Sequence, residues 1–471
     1  MLFILFDSIK GLKLGLIGKE RAFAESFYLT RTLVSSETHM KKIKLSFSQI
    51  LNMNVGFFGI QYSFGLQQSA VNPIYDFLGA APDEIPLLNL AGPMTGLIVQ
   101  PIIGAMSDKT WHPRWGRRKP YFLIGALLCS LALFIYPFSS SLWMAAGLLW
   151  ILDAGNNTAM EPYRAFIADT LDEEQQPLGF QMQSFFTGFG QTLANLSLFI
   201  FPMIFIGTTG KLPTWVFASF FLGAVCSIGS IWWSMRTTDE IPPTEEELAA
   251  MRSQKGGVFA PFKEIFGAIG AMPRVMWQLA LVYLFQWYAL FCYWQNSSKS
   301  IALSVWNATP SSDPAGYEKA VSWTGLVNGW YNIVTFLTAF LLVGFAKRYG
   351  AKAVHASALL LAAAGFLAFP HIENQNVLFV AITGFGIGWA SMMGIPYLLV
   401  VSQIPKERYG VYMGVINMMI VIPMIFQNLS FGWVLRTFLD NDPRQAISFA
   451  GVLLLISAFC TLLIRTKKEN V

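Results

Sequence analysis

Charged residues are scarce in this sequence, since Asp, Glu, Lys and Arg together make up 13% of its 471 residues. A soluble globular domain carries about 25%. Hydrophobic residues reach 54%, and the mean hydropathy of the chain is +0.49. This composition excludes an ordinary soluble protein and predicts an all-α integral membrane protein that crosses the bilayer many times.

Cysteine and histidine are also rare, with four of each. The cysteines all fall in apolar runs and lack the spacing of metal ligands or of a disulfide framework. They are Cys129, Cys226, Cys292 and Cys460. We predict that they are buried packing residues, and that the protein holds no metal or cofactor. No nucleophile lies beside a base in the sequence, so we expect that the protein is not an enzyme.

Long runs of one charge are absent, although the net charge is +5. The basic residues are dispersed in short clusters between apolar runs, which argues against binding to nucleic acid. This is the pattern that the positive-inside rule gives to cytoplasmic loops. Most Lys and Arg residues fall on one side if the N-terminus is inside. We therefore predict that both termini are cytoplasmic in a multi-pass protein of the cell (inner) membrane.

Windows of about 19 residues predict about twelve transmembrane helices. They lie near residues 47–70, 85–106, 120–138, 142–166, 180–205, 214–235, 275–296, 320–346, 352–370, 376–401, 410–435 and 446–465. The longest polar connection divides six of these spans from the other six. The predicted domains are a leader at 1–40, an N-terminal six-helix bundle at 41–235, a cytoplasmic linker at 236–273, and a C-terminal six-helix bundle with a short basic tail at 274–471.

The leader differs from the rest of the chain. Its apolar start, LFILF, is too short to span a membrane, and no cleavage site follows a sufficient apolar core. Met40 then opens the basic flank MKKIKLSFSQI before the first long apolar run. We expect the leader to be a start-site artefact or disordered, and a short interfacial helix is the alternative.

The two halves show a weak internal repeat, which an offset of 234 residues brings out. This offset aligns Pro162 with Pro396 and Asp153 with Ile387. Six spans separate equivalent points, so both halves would have the same orientation, as in parallel repeats. The charged residue has an apolar counterpart, which confines intramembrane charge to the first half.

One predicted span carries several polar side chains. They are Asp153, Asn156, Asn157, Glu161, Arg164 and Asp169. An ionised side chain at bilayer depth costs about 2.5 to 3.5 kcal/mol unless it faces a cavity or a partner. Asp153 and Arg164 are separated by about three helical turns, so they share a face about 16 Å apart along the axis. We interpret this stripe as the lining of a water-filled path. The alternative is a structural ion pair between Asp153 and Arg164.

Three segments carry a resemblance to a known family. They are AGPMTGLIVQPIIGAMSDKTWHPRWGRRKPYFLIG from Ala91, LDAGNNTAMEPYRAFIAD from Leu152, and GIQYSFGLQ from Gly59. The sequence resembles the plant sucrose transporters and their bacterial maltose- or sucrose-transporting relatives. These belong to the glycoside-pentoside-hexuronide:cation symporter branch of the major facilitator superfamily. The likeness is dense in the first half and reduced to spacing in the second.

The resemblance implies two six-helix bundles around a central cavity, and proton-driven uptake of a disaccharide by alternating access. Asp153 matches the family's proton-carrying acid, and Arg164 matches its arginine eleven residues later. Glu161 stands where the plant proteins have a small residue, which leaves open whether it shares the proton and which sugar is preferred. We expect a sugar substrate, a proton as coupling ion, a lipid bilayer and a monomer. Sodium coupling, efflux, or a non-transporting sugar sensor with a carrier fold are the alternatives.

A sugar site needs hydroxyl partners and aromatic faces. The candidates from several spans are Gln61, Gln67, Asn157, Gln286, Trp287, Trp294, Asn328, Tyr331, Trp389 and Tyr397. Packing against lipid or neighbouring helices is the alternative for the aromatic residues. In the loop after the second span, Asp108, Arg117 and Arg118 are predicted to form a cytoplasmic gate. These charges could instead only anchor the topology.

Overall fold

The computed structural model describes residues 44–172, 174–253, 260–270, 272–401 and 409–465. The chain divides into two units, Met1–Lys44 and Leu45–Val471. All the elements described below belong to the second unit. The leader predicted at residues 1–40 lies outside the described residues, as does the end of the basic tail.

The described residues before the linker form helices and one short hairpin. Its elements are α1 (Phe47–Phe77), α2 (Ile85–Leu88), α3 (Ala91–Lys109), α4 (Lys119–Ile135), α5 (Leu142–Thr170), α6 (Gln176–Ile204), β1 (Thr208–Thr209), β2 (Leu212–Pro213) and α7 (Thr214–Thr237). Strands β1 and β2 pair antiparallel, with Thr208 opposite Pro213. Ser46 caps α1 through a capping box with Gln49, which satisfies amides at the helix start.

The described remainder of the chain is helical too. Its elements are α8 (Glu245–Ser253), α9 (Ala260–Ile269), α10 (Arg274–Ile301), α11 (Pro314–Tyr349), α12 (Ala351–Ala368), α13 (Leu378–Val401), α14 (Tyr409–Phe438) and α15 (Pro443–Leu462). A π-helical turn, Ala302–Trp306, follows α10.

Eight helical segments of the described chain are long and apolar enough to cross a membrane, and α11 makes a ninth if its two bent segments count as one. Helices α1, α5 and α6 are as long but carry more amide and charged side chains. The predicted all-α membrane architecture is confirmed, and each predicted span falls on a long helix. The count of twelve crossings and the cytoplasmic termini stay predictions.

Several helices are longer than the sequence indicated, among them α1 and α10. Helix α1 continues to Phe77 instead of ending near residue 70, and α10 continues to Ile301 instead of ending near 296. The predicted span at 85–106 is broken at Asn89, between α2 and α3. These extensions carry polar residues, which lowered the hydropathy signal there.

The helices on each side of the linker pack closely. Helix α1 packs against α6 and α7, while α5 packs against α3 and α4. Helix α10 packs against α14 and α15, and α13 packs against α11 and α12. Across the linker, α6 contacts α11, and α14 contacts α2 and α3. These contacts surround the polar residues of α1 and α5 with helices from both parts of the chain.

Helix α5 approaches α4 at a pair of glycines. A Cβ atom on Gly125 would lie 2.6 Å from the carbonyl oxygen of Gly155, and one on Gly155 would lie 2.8 Å from the backbone nitrogen of Cys129. Such distances leave no room for a side chain, so small residues let the backbones meet. This contact sets the position of α5, and with it Asp153, along α4.

Candidate functional site

Asp153 lies in the middle of α5 and is 3% exposed. One carboxylate oxygen accepts a hydrogen bond from Gln67 Nε2 on α1, at 3.0 Å. A Cβ atom on Gly92 of α3 would lie 3.6 Å from the other oxygen. The carboxyl group is therefore enclosed by three helices of the first half and is held by a neutral amide.

Asn157 lies one turn after Asp153 and ties α5 to α3. Its Nδ2 donates to the backbone oxygen of Asp153 at 2.9 Å and to Thr95 Oγ1 at 3.0 Å. Gln100 Nε2 donates to Asn157 Oδ1 at 2.5 Å. Buried amides are costly without partners, and here each group has one. The structure thus joins Gln67, Asp153 and Asn157 in one polar network.

Gln61 lies further from Asp153 and bonds another helix. Its Oε1 accepts a hydrogen bond from Gln191 Nε2 on α6, at 2.9 Å. The residue is 6% exposed. Gln191 was not among the residues that the sequence pointed to, although it is an amide in a predicted span.

Arg164 does not pair with Asp153 in this structure. Its Nη1 lies 3.7 Å from Glu161 Oε2, and both side chains are partly exposed. Glu161 lies one turn before Arg164, whereas Asp153 lies about 16 Å away along the helix, beyond the reach of the side chain. The alternative of a structural Asp153–Arg164 ion pair is therefore wrong for this conformation. The two charges at the end of α5 instead form a pair of their own.

The second half contributes aromatic rings. The Trp389 ring of α13 lies 5.7 Å from that of Trp287 and 5.6 Å from that of Trp294, both on α10, and meets each nearly at right angles. Trp294 Nε1 donates to the hydroxyl of Tyr331 on α11 at 3.3 Å. The structure brings these four predicted residues together. Tyr397 lies further along α13, about 12 Å from Trp389 along the helix axis.

Two buried side chains beside this cluster have polar atoms without partners among the described residues. They are Nε2 and Oε1 of Gln286, which is fully buried, and Nε1 of Trp287. A buried donor or acceptor left unpaired costs about 1 to 3 kcal/mol. This cost makes the two side chains candidates for a polar contact with a ligand.

Asn328 joins the two halves of the chain. Its Nδ2 donates to Ser69 Oγ on α1 at 3.0 Å, and its Oδ1 accepts from the hydroxyl of Tyr293 at 2.8 Å. Ser69 Oγ donates in turn to Asn195 Oδ1 on α6 at 2.6 Å. Asn328 is therefore fully engaged in contacts between helices.

The predicted gate residues meet at the loop between α3 and α4. Arg118 Nη2 lies 2.7 Å from Asp108 Oδ1, and its Nε lies 2.8 Å from Asp169 Oδ2 on α5. Arg117 Nη2 lies 3.2 Å from the same Asp108 oxygen. Burial lowers the pKa of the Arg118 guanidinium, but Asp169 and Asp108 outweigh it and hold that pKa above its usual range. The described partners of the Arg118 side chain all lie in the first half of the chain.

Glu240, just after α7, was missed by sequence reasoning. Its carboxylate accepts hydrogen bonds from the backbone N–H groups of Arg117, Arg118 and Lys119, at 2.7 to 2.9 Å for the shortest to each. These amides begin α4, where a carboxylate is favoured by the helix dipole. Gly116 makes the approach possible, because its φ is +74° and a Cβ there would meet Glu240.

A second buried aspartate was also missed. Asp76 Oδ1 lies 3.0 Å from Lys299 Nζ, and the two side chains are 3% and 8% exposed. The hydroxyl of Tyr317 donates to Asp76 Oδ2. The predicted spans ended before Asp76 and Lys299, so both were expected in loops. Ser69, Asn72 and Asp76 recur on one face of α1, and this spacing was the available signal.

Comparisons with known proteins agree with the architecture. The profile of the Major Facilitator Superfamily matches residues 53–428. Sucrose transport protein SUT5 of Oryza sativa subsp. indica is 24% identical over 469 residues, covering 84% of this chain and 85% of that protein. Sucrose transport protein SUC4 of Arabidopsis thaliana is 24% identical over 436 residues, covering 83% and 85%. The resemblance that the sequence suggested is confirmed.

Two solved structures share the fold. The xylose transporter XylE from E. coli, in an inward-open conformation, has a TM-score of 0.63 at 14% identity, covering 90% of this chain and 97% of that one. The nucleoside transporter NupG has a TM-score of 0.64 at 12% identity, covering 89% and 99%. At these identities, the likeness establishes the fold alone.

Proposed function

The chain belongs to the major facilitator superfamily, and we propose that it is a secondary active transporter that takes up a disaccharide together with a proton. It is a multi-pass membrane protein and a transporter rather than an enzyme. The observation that carries the proposal is the buried Asp153 carboxyl, which Gln67 holds through a neutral amide. We place it in the cell (inner) membrane as a monomer, with both termini in the cytoplasm.

The substrate class is proposed from the relatives and from the chemistry of the second half. The curated relatives above are named sucrose transport proteins. The aromatic cluster of Trp287, Trp294 and Trp389 offers faces for pyranose rings, and the unpaired Gln286 amide offers both a donor and an acceptor to sugar hydroxyls. A maltose- or sucrose-type α-glucoside fits both features.

Asp153 is the proposed proton carrier. The Gln67 side chain has both donor and acceptor atoms, so it can donate to an ionised carboxylate or accept from a protonated carboxyl after a turn of the amide. Asp153 can therefore keep a hydrogen bond in either protonation state. A lysine or arginine in the same place would favour the charged form alone.

The coupling follows if only the empty carrier and the carrier loaded with both proton and sugar reorient. A membrane potential of about 150 mV acting on one proton is worth about 3.5 kcal/mol. This free energy corresponds to a few hundred-fold accumulation of sugar. Arg164 and Glu161, on the same helix, are proposed to shape the charge along the path, and whether Glu161 shares the proton is one outcome of the test below.

The test is uptake of radiolabelled maltose, sucrose and glucose into proteoliposomes under an imposed pH or sodium gradient. We expect a disaccharide to accumulate under the pH gradient. Asp153→Asn should abolish accumulation but preserve exchange of labelled for unlabelled sugar. Uphill uptake that survives in this variant would refute the assignment of Asp153.

Two matched variants complete the test. Asp83→Asn makes the same change in a loop carboxylate, which pairs with the exposed Arg436, and it should accumulate sugar as the parent does. Glu161→Gln reports whether a second carboxylate shares the proton. Accumulation driven by sodium alone would replace the proton, and binding of sugar without any flux would indicate a sensor.

A further inference from the structure

Outside the proposed transport site, Asp76 and Lys299 form a buried ion pair, and the Tyr317 hydroxyl donates a hydrogen bond to Asp76. We propose that these residues form a latch that holds α1 against α10 and α11, and that the protein must break it to open its pathway at that end. The opening step rests on the alternating access of the proposed function. The latch itself is a contact between the two halves of the chain.

The latch is fully enclosed in this conformation. Lys299 Nζ lies 3.0 Å from Asp76 Oδ1, and Tyr317 donates to Asp76 Oδ2. Asp76 is the one described carboxylate that lies within ion-pair distance of Lys299. Asp76 belongs to the first half, whereas Lys299 and Tyr317 follow the linker. The latch therefore opens when the first half, which carries Asp76, moves away from the second half, which carries Lys299 and Tyr317.

The latch closes a row of polar contacts along one face of α1. Ser69, Asn72 and Asp76 are spaced by three and four residues, so they lie on the same face of the helix. Ser69 accepts from Asn328 on α11, and Asn72 Nδ2 donates to the backbone oxygen of Trp294 on α10 at 3.2 Å. The row thus joins α1 to both helices of the other half, and the latch is its charged member.

A neighbouring amide chain reinforces the same end. Asn89 Nδ2 donates to Asn72 Oδ1 at 2.7 Å. Asn428 Nδ2 of α14 donates to the backbone oxygen of Asn89 at 3.4 Å, and Gln295 Nε2 of α10 donates to Asn428 Oδ1 at 2.7 Å. These amides hold α1, α10 and α14 together without charge. The ion pair of Asp76 and Lys299 adds a charged contact to these neutral ones.

The two ends of the molecule differ in this respect. At the end that holds Arg118, the charged residues described above join helices of the first half to one another. At the end that holds Asp76, the buried charges join opposite halves. A buried lysine that loses its counter-charge is unfavourable in the closed state, and opening returns it to water. Loss of Asp76 is therefore expected to favour the open state at this end.

The experiment measures opening at the Asp76 end by double electron–electron resonance distances. Spin labels are placed on the exposed Ser140, before α5, and the exposed Glu373, after α12, in a cysteine-free background. These positions lie on opposite halves at the same end as Asp76. Asp76→Asn should raise the ratio of the long-distance to the short-distance population about tenfold, a shift of about 1.4 kcal/mol.

Three further variants keep the test decisive. Tyr317→Phe, which removes only the hydroxyl, should shift the distances in the same direction by less. The exchanged pair, Asp76→Lys with Lys299→Asp, should restore the short distance. Asp83→Asn breaks a partly exposed ion pair with Arg436 at the same end and should leave the distances unchanged.

The latch is overturned if Asp76→Asn and Tyr317→Phe both give the parent's distances, or if Asp83→Asn widens them as much as Asp76→Asn does. The measurement uses purified protein without sugar or a gradient. A failure of sugar uptake would therefore leave the distances unaffected, so the latch and the transport function are tested separately.

Discussion

Among the residues that the structure describes, two aspartates are buried between helices, and their surroundings are opposite. Asp76 has a lysine at 3.0 Å and a tyrosine hydroxyl, both from the other half of the chain. Asp153 has a glutamine amide from its own half. The cation beside Asp76 favours its charged form and so fixes it as part of a contact between halves. The amide beside Asp153 can bond the carboxyl in either protonation state, which is why we propose that this carboxyl exchanges a proton.

From this difference we propose a structural role for Asp76 and a role in transport for Asp153. Removing one partner of a buried ion pair strongly destabilises a protein, because the other charge stays buried without a partner. Replacing a buried carboxyl by an amide costs little stability where its only partner is an amide N–H. The new side chain still has an oxygen that accepts this hydrogen bond. The same substitution at both positions therefore separates the two roles.

Asp76→Asn should have the largest effect on stability. It leaves Lys299 buried without a counter-charge, so we expect the free energy of unfolding to fall by about 3 kcal/mol. Thermal or denaturant unfolding in detergent measures this. The matched variant Asp153→Asn should change the free energy by about 1 kcal/mol or less. Equal losses in the two variants would show that the surroundings do not distinguish the aspartates.

Arg118→Gln extends the comparison to a buried charge whose side-chain partners lie within one half. It removes hydrogen bonds to Asp108 and Asp169, whose side chains are 51% and 40% exposed and can return to water. We expect the free energy of unfolding to fall by about 2 kcal/mol. The spin-label distances at the Asp76 end should stay the same. Arg117→Gln is the control, because its more exposed pair is worth about 1 kcal/mol or less. A widened distance in Arg118→Gln would show that this cluster also controls the far end.

Trp389→Ala tests the proposed sugar site of the second half, as Asp153→Asn tests the proposed proton site of the first half. It removes the ring between Trp287 and Trp294, so we expect sugar affinity to fall about tenfold, or about 1.4 kcal/mol. Isothermal titration of the purified protein measures the affinity. Trp433→Ala removes an outward-facing ring that is 55% exposed and should bind sugar normally. Unchanged affinity in Trp389→Ala would exclude the aromatic cluster as the sugar site.

Sequence reasoning predicted the helices well because each apolar run is long and bounded by polar loops. It also singled out Asp153, Gln67 and Asn157, which the structure joins in one network. Polar side chains in an apolar run are costly, so they are conspicuous in the sequence. The aromatic cluster was harder to pick out, since aromatic residues make up 15% of the chain. Only the fold distinguishes rings that meet from rings that face lipid.

The three charged residues that were missed share a physical cause. Asp76, Lys299 and Glu240 lie at helix ends, where charges are ordinary and hydropathy gives no signal. Whether such a charge faces water or the opposite half depends on contacts between residues far apart in the chain. Arg164 has a different cause, because it shares a face with Asp153 in the sequence but pairs with Glu161, three residues away on the same helix.

Tyr317→Phe makes the smallest change and tests the latch without disturbing its charges. Asp76 keeps Lys299, so we expect the free energy of unfolding to fall by about 1.5 kcal/mol, the loss of one hydrogen bond to a carboxylate. Tyr288→Phe is the control, because it removes a hydroxyl that bonds Ser430 Oγ at 2.9 Å, both partners being neutral. Bonds to charged groups are about twice as strong as neutral ones, so unfolding in detergent should show about half the loss for Tyr288→Phe. If Tyr317→Phe cost no more than Tyr288→Phe, Asp76 would not carry the charge on which its contrast with Asp153 depends.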